Sequence, residues 1–342
     1  MSDAPFAPDA YLDALYENRR ATPFAQARTA EEARAAGAAV RKALRELLAL
    51  DSIYGRCEEL RPVVLGTARR KGYTETRLSV EICAGWHMLA YLLTPDAPNG
   101  AGVAALCGHG YGARQTLRRS KRGRYRAVNF LDNYQKNFAA GLALRGCTVA
   151  VPEFLAFGEA RLRRDQRKPF YMSSCYGVTG ALHLCGASTA ALRVYQAARC
   201  LDLLERQPSV HRLGCMGISG GGLVSLLTAC AEERVARAVV SGYVNPLRES
   251  VLARWHCADN YIHGLLGVGE PYDLAAAVAP RGLCVESGRR DTLFPIAGAR
   301  EAHAEIRRVY ALTGAEGNLV IDVFDGKHQI SGRESFGFFS QQ

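Results

Sequence analysis

The sequence lacks the features of a membrane or exported protein. No apolar run among its 342 residues approaches the roughly twenty residues that span a bilayer. The first residues, Met1-Ser2-Asp3-Ala4-Pro5, contain no basic region followed by an apolar stretch, so they do not resemble a signal peptide. Because 48% of the residues are hydrophobic, the chain can nevertheless bury a large core. We therefore expect a soluble, cytoplasmic protein without a membrane partner.

The chain also lacks a disulfide or metal framework. Its eleven cysteines include no C-x-x-C pair and are scattered singly along the chain. Those in apolar segments are Cys83, Cys107, Cys147, Cys200, Cys215 and Cys284. Metal-ligand residue types cluster at His256, Cys257, Asp259 and His263, but their spacing matches no zinc pattern. We therefore predict buried free thiols and no metal.

The positive charge is not accompanied by a nucleic-acid-binding motif. The formal net charge of +10 comes mostly from arginine, and it is densest in residues 118–126 and 161–168. Without a recognition helix or an RNA-binding motif, these clusters predict no nucleic-acid partner. Each cluster is either a solvated basic loop or a loop that attracts an anionic substrate.

Residues 1–70 are rich in alanine and charged residues and predict a helical N-terminal arm. Apolar residues recur at helical spacing between positions 29 and 50. Thr29 and Glu32 have the spacing of a capping box at the start of that helix. Such an arm either caps a functional site or forms a homodimer contact, and its composition does not choose between the two.

Residues 71–342 predict a single α/β domain. It begins with two antiparallel strands at residues 76–83 and 86–93, after which strands and helices alternate. The further strands are predicted at 103–107, 147–151, 213–216, 236–240, 283–286 and 319–324, and the helices at 127–144, 189–206, 220–231, 296–312 and 336–339. Repeated β-α units form a mostly parallel central sheet flanked by helices. Ligands of such sheets bind beyond the carboxyl ends of the strands.

The pentapeptide Gly217-Ile218-Ser219-Gly220-Gly221 follows a short apolar run and precedes a predicted helix. This is the G-x-S-x-G pattern of a nucleophile elbow, in which a sharp strand-to-helix turn exposes the central serine. Glycine on both sides relieves the crowding of that turn. The pattern predicts Ser219 as a nucleophile that attacks a carbonyl carbon.

Two further residues follow Ser219 in the order that a catalytic triad requires. Asp291 lies in the loop after the strand at 283–286, and His328 lies in the loop after the strand at 319–324. A serine hydroxyl needs a base, and the base needs a carboxylate that orients it, so we predict these three residues as the triad. Asp322 and Asp325 are rival acids, but the first lies within a strand and the second is too near His328 in the chain.

The glycine-rich segment Gly108-His109-Gly110-Tyr111-Gly112 follows the strand at 103–107. It contains no Walker lysine and no ribose-binding acid, which argues against a nucleotide-phosphate loop. Its glycines allow the backbone to approach a ligand closely. We predict an oxyanion hole from the backbone N–H groups of Tyr111 and Gly220, with His109 shaping the loop beside the substrate.

Several segments together resemble a known family. They are His109-Gly110-Tyr111-Gly112, Pro152-Glu153-Phe154, Phe157-Gly158-Glu159, residues 214–222, Ser287-Gly288-Arg289-Arg290-Asp291 and Gly326-Lys327-His328. Over about residues 75–340 the chain resembles the α/β-hydrolase superfamily, in particular its acetyl xylan esterase-like and dienelactone hydrolase-like branch. The resemblance implies the α/β-hydrolase fold and a Ser/His/Asp carboxylic ester hydrolase that needs no cofactor. It leaves the substrate open, because related proteins act on acetyl sugars, lactones, thioesters and other acyl compounds.

We therefore expect a serine esterase that cleaves an ester of an acetyl or other small to medium acyl group through an acyl-enzyme. The alternatives are an acyltransferase, cyclase or thioesterase with the same triad, and a non-catalytic binding module. Residues 171–188, which are aromatic and cysteine-rich and are expected to be a loop, and residues 255–269 are expected to form the walls of the acyl pocket. The predicted substrate-binding residues are His109, Trp255, Arg122 and Arg124, the two arginines because an anionic ester would be attracted to them.

Overall fold

The structure, a computed structural model, describes residues 6–108, 112–117, 134–170 and 172–340. Within these residues the chain builds one mixed sheet of nine strands. The strands are β1 Pro62–Arg70, β2 Tyr73–Cys83, β3 Trp86–Pro95, β4 Ala101–Leu106, β5 Thr148–Pro152, β6 Arg212–Ile218, β7 Val235–Ser241, β8 Gly282–Gly288 and β9 Leu319–Phe324. The first three pair antiparallel, and β3 is also antiparallel to β5. All pairs among β4 to β9 are parallel.

The strand order is β1-β2-β3-β5-β4-β6-β7-β8-β9. β4 lies between β5 and β6, so the connections that leave β4 and β6 run in opposite directions across the sheet. Such a reversal opens a crevice at the carboxyl ends of the parallel strands, where ligands bind in this architecture. The turn after β6 contains Ser219, which therefore lies at that crevice.

Helices cover both faces of the sheet. They are α1 Asp9–Arg19, α2 Ala30–Leu47, α3 Arg114–Leu117, α4 Phe138–Ala143, α5 Cys175–Leu184, α6 Thr189–Glu205, α7 Gly220–Ala231, α8 Pro271–Ala276, α9 Ile296–Leu312 and α10 Ser335–Phe338. One hydrophobic core lies between the sheet and α6, α7 and α9, and a second lies between the sheet and α4 and α10. Because both faces are covered, β4 and β5 are buried along their whole length.

The predicted mostly parallel α/β sheet with flanking helices is confirmed. Helices α7 and α9 and strand β9 have the predicted bounds, and β4 to β8 agree with the predicted strands to within a few residues. The N-terminal arm contains α1 and α2, and Thr29 forms the predicted capping box with Glu32.

Three segments differ from expectation. Residues 62–70, placed in the helical arm, form the edge strand β1. In the helix expected at 127–144, residues 134–137 form a turn and α4 begins only at Phe138, while residues 118–133 lie outside the described part. The segment 171–188, expected to be a loop, contains helix α5.

In the N-terminal arm, α2 packs against the helical layer, and α1 contacts the segment that follows β7. Helix α2 contacts α7, α8 and α9, and the Arg41 guanidinium donates to the Cys230 carbonyl over 3.2 Å. Cys230 is at the far end of α7 from Ser219, about 16 Å away at 1.5 Å per residue. The Tyr16 hydroxyl of α1 donates to the buried Glu270 carboxylate. The roles predicted for this arm, a cap or a homodimer contact, stay predictions.

All eleven cysteines fall in the described ranges, and each is a free thiol. The six that lie in apolar segments are buried, as predicted. Burial raises the pKa of the Cys215 thiol to about 11, so this sulfur stays protonated at neutral pH. Among the described residues, no helix is both long and apolar enough to cross a bilayer.

A buried ion pair joins α6 to the segment that follows β7. Arg193 and Asp259 are 2% and 6% exposed, and their side chains are paired. The Arg193 guanidinium also donates to the Leu155 carbonyl over 2.9 Å and stacks over the Phe157 ring at 4.1 Å. Asp259 is one of the four residues of metal-ligand type noted in the sequence, and here its carboxylate is paired with an arginine. The pair ties together two connections that leave the carboxyl edge of the sheet.

We predict that Asp259→Ala lowers the free energy of unfolding by about 3–5 kcal/mol, because it leaves the Arg193 charge buried without its partner. Urea denaturation of the purified chain measures the change. Asp325→Ala is the control, because it removes an exposed ion pair with Arg290 that contributes at most about 1 kcal/mol. Equal losses in the two variants would contradict a structural role for the buried pair.

Candidate active site

The turn between β6 and α7 holds Ser219 in a strained backbone conformation. Its φ is 58° and its ψ is −127°, a conformation that a residue with a side chain rarely adopts. A Cβ at Gly217 would lie 2.1 Å from the Gly221 carbonyl oxygen, and one at Gly221 would lie 2.1 Å from the Leu106 carbonyl oxygen. A Cβ at Gly220 would meet nothing within 4 Å. The crowding that the motif predicts is therefore present at positions 217 and 221.

Asp291 and His328 are hydrogen-bonded at the ends of neighbouring strands. The His328 Nδ1 to Asp291 Oδ2 distance is 2.7 Å. The other Asp291 oxygen accepts the backbone N–H groups of Leu293 and Phe294 over 2.8 and 3.1 Å. The carboxylate is buried and fully engaged, which fixes its orientation toward the imidazole. With Nδ1 protonated and bound to Asp291, the ring presents its Nε2 lone pair as an acceptor.

Gly242 connects the imidazole to the serine turn. It follows Ser241, whose carbonyl accepts the Ser219 N–H over 3.1 Å. A Cβ at Gly242 would lie 3.1 Å from His328 Nδ1 and 3.4 Å from Asp291 Oδ2. The His–Asp pair therefore packs directly on the residue beside the serine turn. No described protein group hydrogen-bonds to His328 Nε2, so Ser219 and His328 are not hydrogen-bonded to each other here.

The two rival acids have other partners. Asp322 is buried in β9 and pairs with Arg333. Asp325 pairs with Arg290 over 3.0 Å at the surface. Asp291 is therefore the carboxylate that orients His328.

Aromatic rings enclose the imidazole. His328 stacks with both Tyr134 and Phe294, with ring centroids 5.7 and 5.6 Å away and interplanar angles of 20°. The His256 ring packs edge-on against Phe294 at 5.6 Å. Burial lowers the pKa of His256, so this second imidazole is neutral at neutral pH. These rings restrict the orientation of His328, whose side chain is only 9% exposed.

A buried carboxylate holds the loop that contains His328. Glu286, 1% exposed on β8, accepts the backbone N–H groups of Ser331 and Gly332 over 3.0 Å each. Its own carbonyl accepts the Gly242 N–H over 3.0 Å. Glu286 therefore connects β8, the residue under the His–Asp pair and the end of the histidine loop.

A second buried carboxylate lies beside the predicted oxyanion loop. Glu153, at the end of β5, is fully buried and accepts the Ala113 N–H over 3.1 Å. A Cβ at Gly112 would lie 1.7 Å from a Glu153 oxygen, so only glycine fits there. On the other side of the loop, the Gln135 side chain accepts the Gly108 N–H over 2.8 Å. Both described ends of the loop are thus held by buried polar side chains.

Several predicted residues fall outside the described ranges. They are His109, Tyr111, Arg122 and Arg124. Gly220 is the first residue of α7, where its N–H has no partner within the helix. The oxyanion hole at Tyr111 and Gly220, and the binding roles of the other three residues, stay predictions.

The cluster at 161–168 is partly structural. Arg161 is buried, and its guanidinium donates to the carbonyls of Gly158 and Pro169 over 2.8 and 3.0 Å. Lys168 pairs with Asp165 over 2.7 Å. The exposed cations that remain in this loop are those of residues 163, 164 and 167. Arg161 and Lys168, by contrast, are engaged within the chain.

Trp255 is 85% exposed and directly precedes His256, whose ring lies against Phe294. The neighbouring Arg254 side chain donates to the Leu293 carbonyl over 2.8 Å, which fastens this segment to the Asp291 loop. Trp255 is therefore the sequence neighbour of a residue that contacts the aromatic rings of the site, and it presents a large apolar ring to solvent.

The sequence reasoning missed Glu286, Glu153, Gln135, Tyr134 and Phe294. Glu286 carried a signal, because a charged residue in the otherwise apolar strand Leu283-Cys284-Val285 needs buried partners. Glu153 lies in the segment Pro152-Glu153-Phe154, which supports the family resemblance, but it was given no role. The other three residues carry no signal, because their contacts depend on segments far apart in the chain.

Comparisons with known proteins agree with this architecture. No protein-family model matches the chain. The putative hydrolase YtaP of Bacillus subtilis strain 168 is 23% identical over 234 residues, which cover 66% of this chain and 73% of that protein. A putative acetyl xylan esterase from Bacteroides fragilis NCTC 9343 superposes with a TM-score of 0.75 at 16% identity, covering 93% of this chain and 82% of that chain. A CE15 glucuronoyl esterase from Teredinibacter turnerae T7901 superposes with a TM-score of 0.61 at 17% identity, covering 99% and 93%. The chain has the α/β-hydrolase fold.

We predict that Glu286→Ala releases the histidine loop, because Ser331 and Gly332 lose a charged acceptor. Their amides should exchange faster in hydrogen–deuterium exchange, and the free energy of unfolding should fall by about 2–4 kcal/mol. Glu334→Ala is the matched control, because Glu334 is exposed in the same segment and should change stability by less than about 0.5 kcal/mol. If the exchange of the Ser331 and Gly332 amides were unchanged in Glu286→Ala, Glu286 would not hold this loop.

Proposed function

We propose that this protein is a serine hydrolase that cleaves carboxylic esters of an acetyl or other small to medium acyl group. The observation that carries the proposal is the 2.7 Å hydrogen bond between His328 Nδ1 and Asp291 Oδ2, packed on Gly242 beside the strained turn of Ser219. Ser219 is the nucleophile, His328 the general base and acid, and Asp291 the orienting carboxylate. The α/β-hydrolase fold and its esterase neighbours support this assignment.

The acylation step begins when the Ser219 Oγ attacks the ester carbonyl carbon. His328 Nε2 accepts the hydroxyl proton during the attack, and the Asp291 carboxylate stabilises the resulting imidazolium. His328 then donates that proton to the leaving alkoxide, which departs as the alcohol and leaves an acyl group on Ser219. Water attacks the acyl-enzyme by the same proton route and releases the acid. No step requires a cofactor.

The negative charge that develops on the carbonyl oxygen needs preorganised donors. We assign these to the backbone N–H groups of Gly220 and Tyr111. The Gly220 assignment is supported by its place at the start of α7, where the helix dipole favours an anion. The Tyr111 assignment is supported by Glu153 and Gln135, which hold Ala113 and Gly108 at the two ends of the loop.

The names of the structural neighbours, an acetyl xylan esterase and a glucuronoyl esterase, favour an ester that includes a sugar. The exposed Trp255 ring suits such a substrate, because an aromatic face packs against the apolar face of a pyranose. We assign Trp255 and His109 to substrate binding. Arg122 and Arg124 would serve an anionic substrate, together with the exposed residues 163, 164 and 167.

We predict that a fluorophosphonate probe labels the wild-type chain and not Ser219→Ala. On a panel of acyl esters that varies chain length and charge, Ser219→Ala should lose at least about 10³-fold in kcat. Asp291→Asn should lose about 10²–10⁴-fold in kcat, because it loses the carboxylate that orients His328.

Asp325→Asn is the control and should keep nearly full activity, because Asp325 also follows a strand but its carboxylate is exposed and pairs with Arg290. Labelling of Ser219→Ala at the wild-type rate would exclude this nucleophile. Labelling of the wild type without hydrolysis of any ester would favour an acyltransferase or cyclase over a hydrolase. Absence of labelling would favour a non-catalytic binding module.

The basic loops generate a separate prediction about charge. At low salt the kcat/KM for an anionic ester should exceed that for a neutral ester of the same acid, and the difference should shrink as salt screens the charges. Replacement of residues 163, 164 and 167 together by glutamine should reduce the preference several-fold without changing the neutral rate.

Arg34→Gln, which removes an exposed arginine on the distant helix α2, is the control for the loss of a positive charge outside this loop and should keep the wild-type preference. Equal kcat/KM for the anionic and neutral esters at low salt would refute the steering role of both basic clusters.

A further inference from the structure

Two aromatic rings lie nearly parallel to the His328 imidazole, and they come from distant parts of the chain. The centroids of the Tyr134 and Phe294 rings are 5.7 and 5.6 Å from that of the imidazole, and each ring plane makes an angle of 20° with it. Tyr134 and Phe294 are buried, and the His328 side chain is 9% exposed. The three rings are therefore packed together with little exposure to water.

Tyr134 is held against His328 at both its hydroxyl and its carbonyl. A Cβ at Gly108, just after β4, would lie 2.2 Å from the Tyr134 hydroxyl oxygen, so the tip of the ring rests on a glycine. The buried Gln135 side chain donates to this hydroxyl over 3.3 Å and accepts the Gly108 N–H over 2.8 Å. The Tyr134 carbonyl accepts the Ile330 N–H over 2.8 Å. Tyr134 therefore connects the end of β4 to the loop that contains His328.

The backbone directly after Gln135 is strained. Lys136 and Asn137 both have a φ of 48°, a left-handed conformation that costs free energy in residues other than glycine. Such residues persist where their surroundings hold them, and they cluster at active sites. Here the Lys136 Nζ donates to the Ser331 carbonyl over 3.3 Å, which adds a second contact to the histidine loop. The strain therefore lies in the segment that places a ring against His328.

An aromatic ring beside an imidazole acts differently on its two protonation states. The face of the ring carries negative charge, which attracts a cation within about 6 Å of the ring centroid, most strongly where water is excluded. A neutral imidazole gains little from this attraction. In the proposed reaction His328 is neutral when the substrate binds and becomes an imidazolium while it takes the Ser219 proton. The ring contact therefore stabilises the transition state more than the ground state, which raises kcat.

We propose that Tyr134 is a positioning residue of the hydrolysis, whose ring stabilises the imidazolium form of His328. Its hydrogen-bonded hydroxyl and carbonyl fix the ring against the imidazole. Phe294 supplies a second ring of the same kind from the loop of Asp291. The inference rests on the proposed function, because the imidazolium forms only if His328 acts as the base. The rings act together with Asp291, whose carboxylate stabilises the same charge through Nδ1.

Steady-state kinetics on a neutral ester test the proposal, with kcat expressed per site titrated by the fluorophosphonate probe. Tyr134→Leu removes the ring and keeps an apolar side chain, so kcat should fall about 5- to 30-fold while KM changes less than about twofold. Tyr134→Phe keeps the ring face and should retain at least about a third of the wild-type kcat. A purely structural role would lower the number of titrated sites and leave kcat per site unchanged.

Phe294→Leu repeats the test from the other loop and covers the case in which Tyr134→Leu fails to fold. It should also lower kcat several-fold at nearly constant KM. The matched control is Phe338→Leu, which removes a buried ring beside Gly282 at the start of β8 and should keep the wild-type kcat per site.

Unchanged kcat per site in Tyr134→Leu, or in Phe294→Leu if Tyr134→Leu does not fold, would overturn the proposal. An equal fall in Phe338→Leu, or a Tyr134→Phe variant as slow as Tyr134→Leu, would also overturn it. A wild type that is neither labelled nor active on any ester would refute the proposed function itself, and this inference with it. The two failures are therefore distinguishable.

Discussion

The crowding at the turn between β6 and α7 is the constraint on which the rest of the site depends. The carbonyl oxygens of Leu106 and Gly221 come so close to positions 221 and 217 that no Cβ fits at either. Ser219 is held between them at a positive φ of 58°. A strained residue persists only where its surroundings overdetermine it, and here the end of β4 packs against the first turn of α7. Ser219 keeps this conformation because the close contacts at positions 217 and 221 leave the backbone of the turn no other path.

Buried carboxylates hold the loops around the site through hydrogen bonds, as crowding holds the turn of Ser219. Asp291 fixes the imidazole of His328, and Glu286 fixes the loop after that histidine through two backbone N–H groups. Glu153 holds Ala113 at the end of the glycine-rich loop. Asp291 and Glu286 each exchange water for two or more hydrogen bonds, which is the condition under which a buried charge is tolerated.

The accuracy of the sequence-based predictions follows the burial of each segment. Strands β4 to β9 lie in the parallel part of the sheet, and most read as continuous apolar runs, so their positions were predictable. Strand β1 is exposed along most of its length, contains only the short apolar run Val63-Val64-Leu65, and follows the helical arm in the chain. Helix α5 is short and glycine-containing, and its aromatic and cysteine residues favoured a loop. In both cases the partner segment decided the structure, and local sequence did not.

The sequence by itself determined the order Ser219, Asp291, His328 and the placement of each after a strand, because motif spacing and apolar periodicity are local properties. Only the tertiary structure decided that Asp291, and not Asp322 or Asp325, pairs with His328. Only it could bring Glu286, Glu153 and the rings of Tyr134 and Phe294 to the site. These contacts join residues tens to hundreds of positions apart, and their partners are chosen by how the strands are ordered in the sheet, which no short stretch of sequence encodes.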